Sequence, residues 1–201
     1  MMDQALQEKL EQALWVGHTL FQLGRTSGSS ANLSFLHQGR IFITASGSCF
    51  GRLRAEDFAE IDLQGESLNG KNPSKEWPLH RDYYGKDGAI QCVIHTHGPY
   101  GVLWSCRKFD HDTDIIPPYT PYLEMKVGKI ALVPYGPPGS QKLFDAFRET
   151  LPKVDAYLLK NHGAIVGGSS ILEAFYGIEE LEESARIACM IERNGCYEKI
   201  Y

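Results

Sequence analysis

Two histidines one residue apart close an apolar run in Ile94-His95-Thr96-His97-Gly98. Residues 89–97 have the length and apolar content of a buried strand, and strand side chains alternate faces. Both imidazoles then project to one side, where they can share a metal ion. A catalytic zinc takes three protein ligands and keeps one position open for water or substrate, so a third donor has to come from elsewhere. His162 is the candidate, because Asn161-His162-Gly163 is a polar turn between the apolar segments 156–159 and 164–166. A histidine there can face a cleft. Taken alone, the pair fits equally well as two histidines on a half-buried strand face, since the motif recurs in unrelated folds.

Context narrows the choice. An amidohydrolase barrel places such a pair after its first strand and needs ~250 residues. Here the pair lies mid-chain in a protein of 201 residues. A cupin would be all-β, which the helical patterns at both ends oppose.

A second cluster is Pro73-Ser74-Lys75-Glu76-Trp77-Pro78. Pro78 fits the first turn of a helix running to about residue 84. Helix N-termini favour anions, so Ser74 and Lys75 can hold a phosphate while Glu76 serves as metal ligand or as general acid/base. The same residue types also make an ordinary helix cap. The loop 26–32 offers backbone N–H groups but lacks the lysine and spacing of a P-loop.

These groups need a frame. Residues 3–23 repeat apolar positions at helical spacing and stop at Gly24. Strands are expected at 32–35, 40–44, 58–62, 130–133 and 156–159, with a turn at 37–39 and a turn-rich connection at 65–72. A helix is expected over 141–149. Ser170 with Glu173 reads as a capping box opening a long helix to about residue 193, with Ile171, Ala174, Phe175, Ile178, Leu181 and Ala185 on its buried face. With no repeat or linker, the order of elements gives a single α/β domain over residues 1–201, its largely antiparallel sheet joined by short turns.

Composition excludes several classes. A net charge of −5 without any Lys/Arg cluster argues against nucleic acid, and no stretch offers the ~20 apolar residues that span a bilayer. Five cysteines, Cys49, Cys92, Cys106, Cys189 and Cys196, make an odd set without a C-x-x-C pair. They suit a reduced, cytoplasmic setting and are expected to act as small apolar residues.

Taken together, Ser30-Ala31-Asn32-Leu33-Ser34, Ile43-Thr44-Ala45-Ser46-Gly47, Ser74-Lys75-Glu76 with His80, His95-Thr96-His97 and Asn161-His162-Gly163 resemble the class II aldolase/adducin family over almost the whole chain. The resemblance implies a three-layer α/β/α sandwich and zinc on His95, His97 and His162. It implies Glu76 as the acid/base that also touches the metal, and phosphate binding around Asn32, Ser46, Gly47 and Ser74. It further implies a homotetramer with sites between subunits, acting on a small phosphorylated sugar or sugar acid through a metal-bound enediolate. Where sugar-phosphate aldolases often carry Gly and a second Ser, this chain has Ala31 and Lys75. Ser74-Lys75-Glu76, with Ile116-Pro117-Pro118-Tyr119-Thr120-Pro121-Tyr122, resembles the branch that decarboxylates 3-oxo-tetronate 4-phosphates. Lys75 would then meet the extra carboxylate or the phosphate, and Tyr119 or Tyr122 could donate a proton, although Pro-rich aromatic loops also serve packing. A fuculose-phosphate type aldolase is the alternative. A non-enzymatic adducin-like interaction module is a third reading, which the intact histidines and Glu76 oppose.

Overall fold

The computed structural model describes residues 3–194. Cys196 and the outermost residues of the expected 1–201 unit lie outside the described residues. The fold is α/β: six helices surround one mixed sheet of seven strands in the order β3-β2-β1-β4-β7-β6-β5. Helix α1 (Gln4–Gln22) starts where Asp3 accepts the Ala5 N–H at 3.1 Å, and it ends before Gly24, whose φ of +68° only glycine adopts freely. Strands β1 (Asn32–His37) and β2 (Arg40–Thr44) form a hairpin. It closes on Gln38 and Gly39, both at positive φ, as the twist of a two-residue turn demands. The expected end at residue 35 was too early, because Leu36 and His37 continue the ladder against Ile41 and Arg40.

Strand β3 (Phe58–Ile61) pairs antiparallel with β2, and helix α2 (Trp77–Lys86) follows with Pro78 in its first turn. Strand β4 (Cys92–Thr96) lies antiparallel to both β1 and β7 (Gly163–Gly168). It is shorter than the expected 89–97: Ile90 closes a turn onto the Asp87 carbonyl, and His97 stands just beyond the strand. Strand β5 (Ile130–Val133) pairs parallel with β6 (Ala156–Leu159) through the crossover helix α5 (Gln141–Thr150), and β6 pairs antiparallel with β7. Two short helices, α3 (Pro99–Ser105) and α4 (Tyr122–Lys126), were not foreseen. The chain closes with α6 (Ile171–Asn194), where Ser170 Oγ accepts the Glu173 N–H at 3.1 Å.

Alternation along the strands builds two cores. Leu33, Phe35, Cys92, Ile94, Ala164 and Val166 join residues of α1, α3, α4 and α6 on one face, while Val93, Tyr157, Leu159 and Ile165 join α2 and α5 on the other. On that second face Phe147 of α5 and Tyr83 of α2 each pack edge-on against Tyr157 of β6 and lie tilted against one another, with ring centroids 5.1–6.0 Å apart. The Tyr83 hydroxyl also bonds the Asp155 carbonyl. Burial of each such ring stabilises by about 1.5–3 kcal/mol and fixes α2, hence Glu76 and His80, against the sheet. Among the described residues no helix is long and apolar enough to cross a membrane.

Candidate functional site

Strand β4 delivers His95 to the α2 face, the residue just past its end is His97, and the β6–β7 turn delivers His162. That turn is tight: Asn161 adopts φ +55°, and the His162 N–H bonds back to the Leu159 carbonyl at 3.0 Å. The three rings lie 4.8–4.9 Å apart, centroid to centroid. His95 is fully buried, and its Nδ1 bonds the Ala164 carbonyl at 2.8 Å. A carbonyl only accepts, so Nδ1 carries the hydrogen and Nε2 keeps its lone pair. That Nε2 lies 2.9 Å from His97 Nε2. Burial, then the neighbouring imidazoles, hold His95 well below the usual histidine range, and burial with His162 pushes His97 down to about 4. Burial lowers His162 as well, with Glu76 opposing and Lys75 assisting. All three are therefore neutral at pH 7, the form in which histidine binds metal.

Glu76 immediately precedes α2 and is 5% exposed. Its Oε2 lies 3.4 Å from His95 Nε2 and accepts the Asn32 Nδ2 hydrogen bond at 3.1 Å. Its Oε1 lies 3.5 Å from His162 Nε2 and is buried without a hydrogen-bond partner. Behind Asn32, Oδ1 meets His80 Nε2 at 2.5 Å, His80 Nδ1 meets Ser34 Oγ at 2.7 Å, and Ser34 Oγ meets the Tyr84 hydroxyl at 2.6 Å.

Glycines admit this packing. A Cβ at Gly163 would lie 2.3 Å from the Thr96 carbonyl oxygen and 2.8 Å from the His97 ring. A Cβ at Gly98 would lie 2.4 Å from Glu182. Glu182 of α6 is buried and accepts the Tyr100 and Gly101 N–H groups at 2.8 and 2.7 Å, holding the backbone just after His97.

A cleft of about 300 Å³ opens beside the histidines, lined by Asn32, Ser46, Gly47, Ser74, Lys75, Glu76, His97 and His162 together with the 29–31 loop and Pro138. Each expected anion-binding residue thus reaches one cavity. Gly47, at φ +83°, shapes the turn in which the Ser48 N–H meets the Ala45 carbonyl, and Ser74 Oγ accepts the Glu76 N–H at 3.3 Å. The Asn32 side chain is engaged at both ends inside the protein. Tyr122 is not among the lining residues; it is 56% exposed at the start of α4, and Tyr119 packs on the opposite core. A larger cavity of about 780 Å³, lined by Arg81, Tyr84 and Arg148 among others, contains none of the histidines.

Among the described residues His95, His97 and His162 offer ligand atoms within 4.8 Å of one another, a group that could hold a metal ion. Three neutral imidazoles, with an orphaned carboxylate oxygen beside them, fit a divalent metal that leaves a position open.

Ser34, Tyr84 and Glu182 carry site geometry that the sequence reading missed. Glu76, His80 and Tyr84 do share one helical face by their i, i+4, i+8 spacing, and Asn32 and Ser34 share one strand face, so that part was open to detection. Glu182 gave no comparable signal.

The model of the family described as the Class II Aldolase and Adducin N-terminal domain matches residues 11–189. The chain belongs to this class II aldolase and adducin family. Within the family it is 38% identical to the 3-oxo-tetronate 4-phosphate decarboxylase of Pectobacterium atrosepticum, over 86% of this chain and 79% of that one. It is 34% identical to an L-fuculose phosphate aldolase of Methanococcus maripaludis, over 87% of this chain and 92% of that one. The crystal structure of YgbL from Klebsiella pneumoniae superposes with a TM-score of 0.89 at 38% identity, covering 98% of this chain and 94% of that one. The similarity spans the whole site, from Asn32 to His162.

Proposed function

We propose that this class II aldolase-family chain is a metal-dependent carbon–carbon lyase that decarboxylates a 3-oxo-tetronate 4-phosphate. The observation that carries the reading is the convergence of His95, His97 and His162 with Glu76 at a cleft that also holds Ser74 and Lys75. Similarity to the decarboxylases supports the substrate.

His95, His97 and His162 would hold the metal, zinc by its preference for such donors, with Glu76 at its edge. A divalent ion there supplies Lewis acidity toward a carbonyl oxygen. Ser74 and Lys75 bind the anionic end of the substrate at the start of α2, with Ser46, Gly47 and Asn32 completing the cleft. Lys75 contributes a compact cation suited to a carboxylate or phosphate. When the bond to the carboxylate breaks, carbon dioxide leaves and the electron pair remains on the carbon beside the ketone. Glu76, having taken a proton from water, delivers it to this carbon. Tyr122, exposed in one chain, would serve as proton donor only across a subunit contact, consistent with a homotetramer whose sites lie between copies.

The same proposal takes residues 1–201 as one cytoplasmic domain, a three-layer α/β/α sandwich on a largely antiparallel sheet. Five antiparallel pairings against one parallel, and apolar cores on both faces, support the layered reading.

L-Fuculose phosphate aldolase activity is the second reading, favoured by the 34% identity to the Methanococcus protein. An adducin-like binding module is disfavoured by the complete histidine set. Assaying the purified protein against 3-oxo sugar acid phosphates and ketose 1-phosphates separates the three. Carbon dioxide release supports the proposal, aldehyde release supports the aldolase, and neither, with no metal uptake, supports the module.

A further inference from the structure

The contacts behind Glu76 run in one direction. The Asn32 amide nitrogen only donates, so Nδ2 donates to Glu76 Oε2 and Oδ1 faces His80. His80 Nε2 must then carry a hydrogen to donate to Oδ1. In a neutral imidazole the other nitrogen is bare, so Nδ1 accepts from the Ser34 hydroxyl, whose oxygen in turn accepts from the Tyr84 hydroxyl. Each assignment forces the next. All five residues are buried, His80 and Ser34 completely.

We propose that Tyr84, Ser34, His80 and Asn32 are positioning residues for the reaction, a one-way hydrogen-bond chain that fixes Glu76 Oε2 as an acceptor and so sets how the carboxyl group is turned toward the cleft. Oε1, by contrast, has no hydrogen-bond partner. Burial pushes His80 down to about 3, which keeps the imidazole neutral and the direction fixed. The chain is no proton wire, because the Asn32 amide does not pass a proton from oxygen to nitrogen. Its effect is orientation and polarisation, since each donor strengthens the next. The inference rests on the acid/base role given to Glu76 above.

Two measurements test it. In protein labelled with ¹⁵N-histidine, with His80 assigned by its loss in His80→Gln, the metal-free wild type should show a single neutral Nε2–H tautomer between pH 5 and 8. Asn32→Ala, which removes the acceptor that holds the hydrogen on Nε2, should let the two tautomers mix. In kinetics, Ser34→Ala and Tyr84→Phe should lower kcat for carbon dioxide release by about three- to tenfold, the size of one ordinary hydrogen bond, with KM unchanged. Tyr84→Phe keeps the ring and carries the test if Ser34→Ala fails to fold. An Nδ1–H or protonated His80, or an unchanged kcat in a folded variant, overturns the proposal. If the unmodified protein releases no carbon dioxide, the assigned reaction falls, and the tautomer measurement still decides the chain.

Discussion

Asn32 and His95 are direct partners across the antiparallel β1–β4 ladder. The Asn32 side chain reaches Glu76 Oε2, and His95 Nε2 lies 3.4 Å from that same oxygen. Two neighbouring strands and the start of α2 therefore meet on a single carboxylate oxygen. A one-residue slip of either strand would turn its side chain to the other face of the sheet and part the pair, dismantling the site at once.

Replacing His95, His97 or His162 with Ala should each remove the bound divalent metal and abolish turnover, since an open three-ligand site loses its integrity with one donor. Metal content by elemental analysis, alongside activity, checks this. Full activity with unchanged metal in all three variants would sink the assignment.

Glu76→Gln should keep the metal while losing roughly 10²–10⁴ in rate, because the amide preserves shape but carries no proton. Near-normal turnover would move that role to another group.

Lys75→Ser should lower kcat/KM for carbon dioxide release by about tenfold, the difference between a charge-assisted and a neutral hydrogen bond. Its effect on stability should stay within about ±0.5 kcal/mol, as for other surface changes. An unaltered kcat/KM would mark Lys75 as a solvated helix-start lysine.

Stability of the metal-free protein should fall with acid. His80 is fully buried and its folded pKa is lowered from 6.5 to about 3. Its stabilising contribution is therefore complete above pH 6.5 and is lost as pH falls toward 3, because the unfolded chain binds the proton first. Between pH 7 and 5 the loss from this group is roughly 2 kcal/mol. Urea unfolding at the two pH values should show it, and His80→Gln should flatten the slope. A pH-independent midpoint in the wild type would argue against a neutral buried His80.

Gly163→Ala should destabilise by about 1–3 kcal/mol and weaken metal binding, since the added methyl meets the Thr96 carbonyl oxygen and the His97 ring. A thermal melt with a metal titration tests both effects. Wild-type values in each would show that β4 and β7 can part without cost.

Periodicity carried much of the frame. The helical spacing of Leu6, Leu10, Leu14 and Leu20 and the Ser170–Glu173 start marked α1 and α6, and His-x-His marked the strand end that presents the paired histidines. Helices α3 and α4 were hidden for different reasons. The first is seven residues long and directly follows a strand, although Gly98-Pro99 was a start signal. The second sits among Pro117, Pro118 and Pro121, which read as loop. Glu182 was missed because a carboxylate on a helix gives no sign of the distant N–H groups it will meet. Tyr122 lies away from the cleft of its own chain, so its proposed role depends on a contact between copies that a single chain's sequence pattern does not display.

The β6–β7 turn leaves no slack. Leu159 pairs with Gly163, so only residues 160–162 bridge the strands, and the third imidazole rides on the last of them. One inserted residue would displace it by about 3.3 Å, a strand step, while the ladders on either side stayed intact. The long connection 62–72 could absorb such a change, whereas this corner could not. Chain length at 160–162 should therefore be the feature that drifting sequences of this fold keep for as long as they keep the chemistry, and alter freely once they become scaffolds.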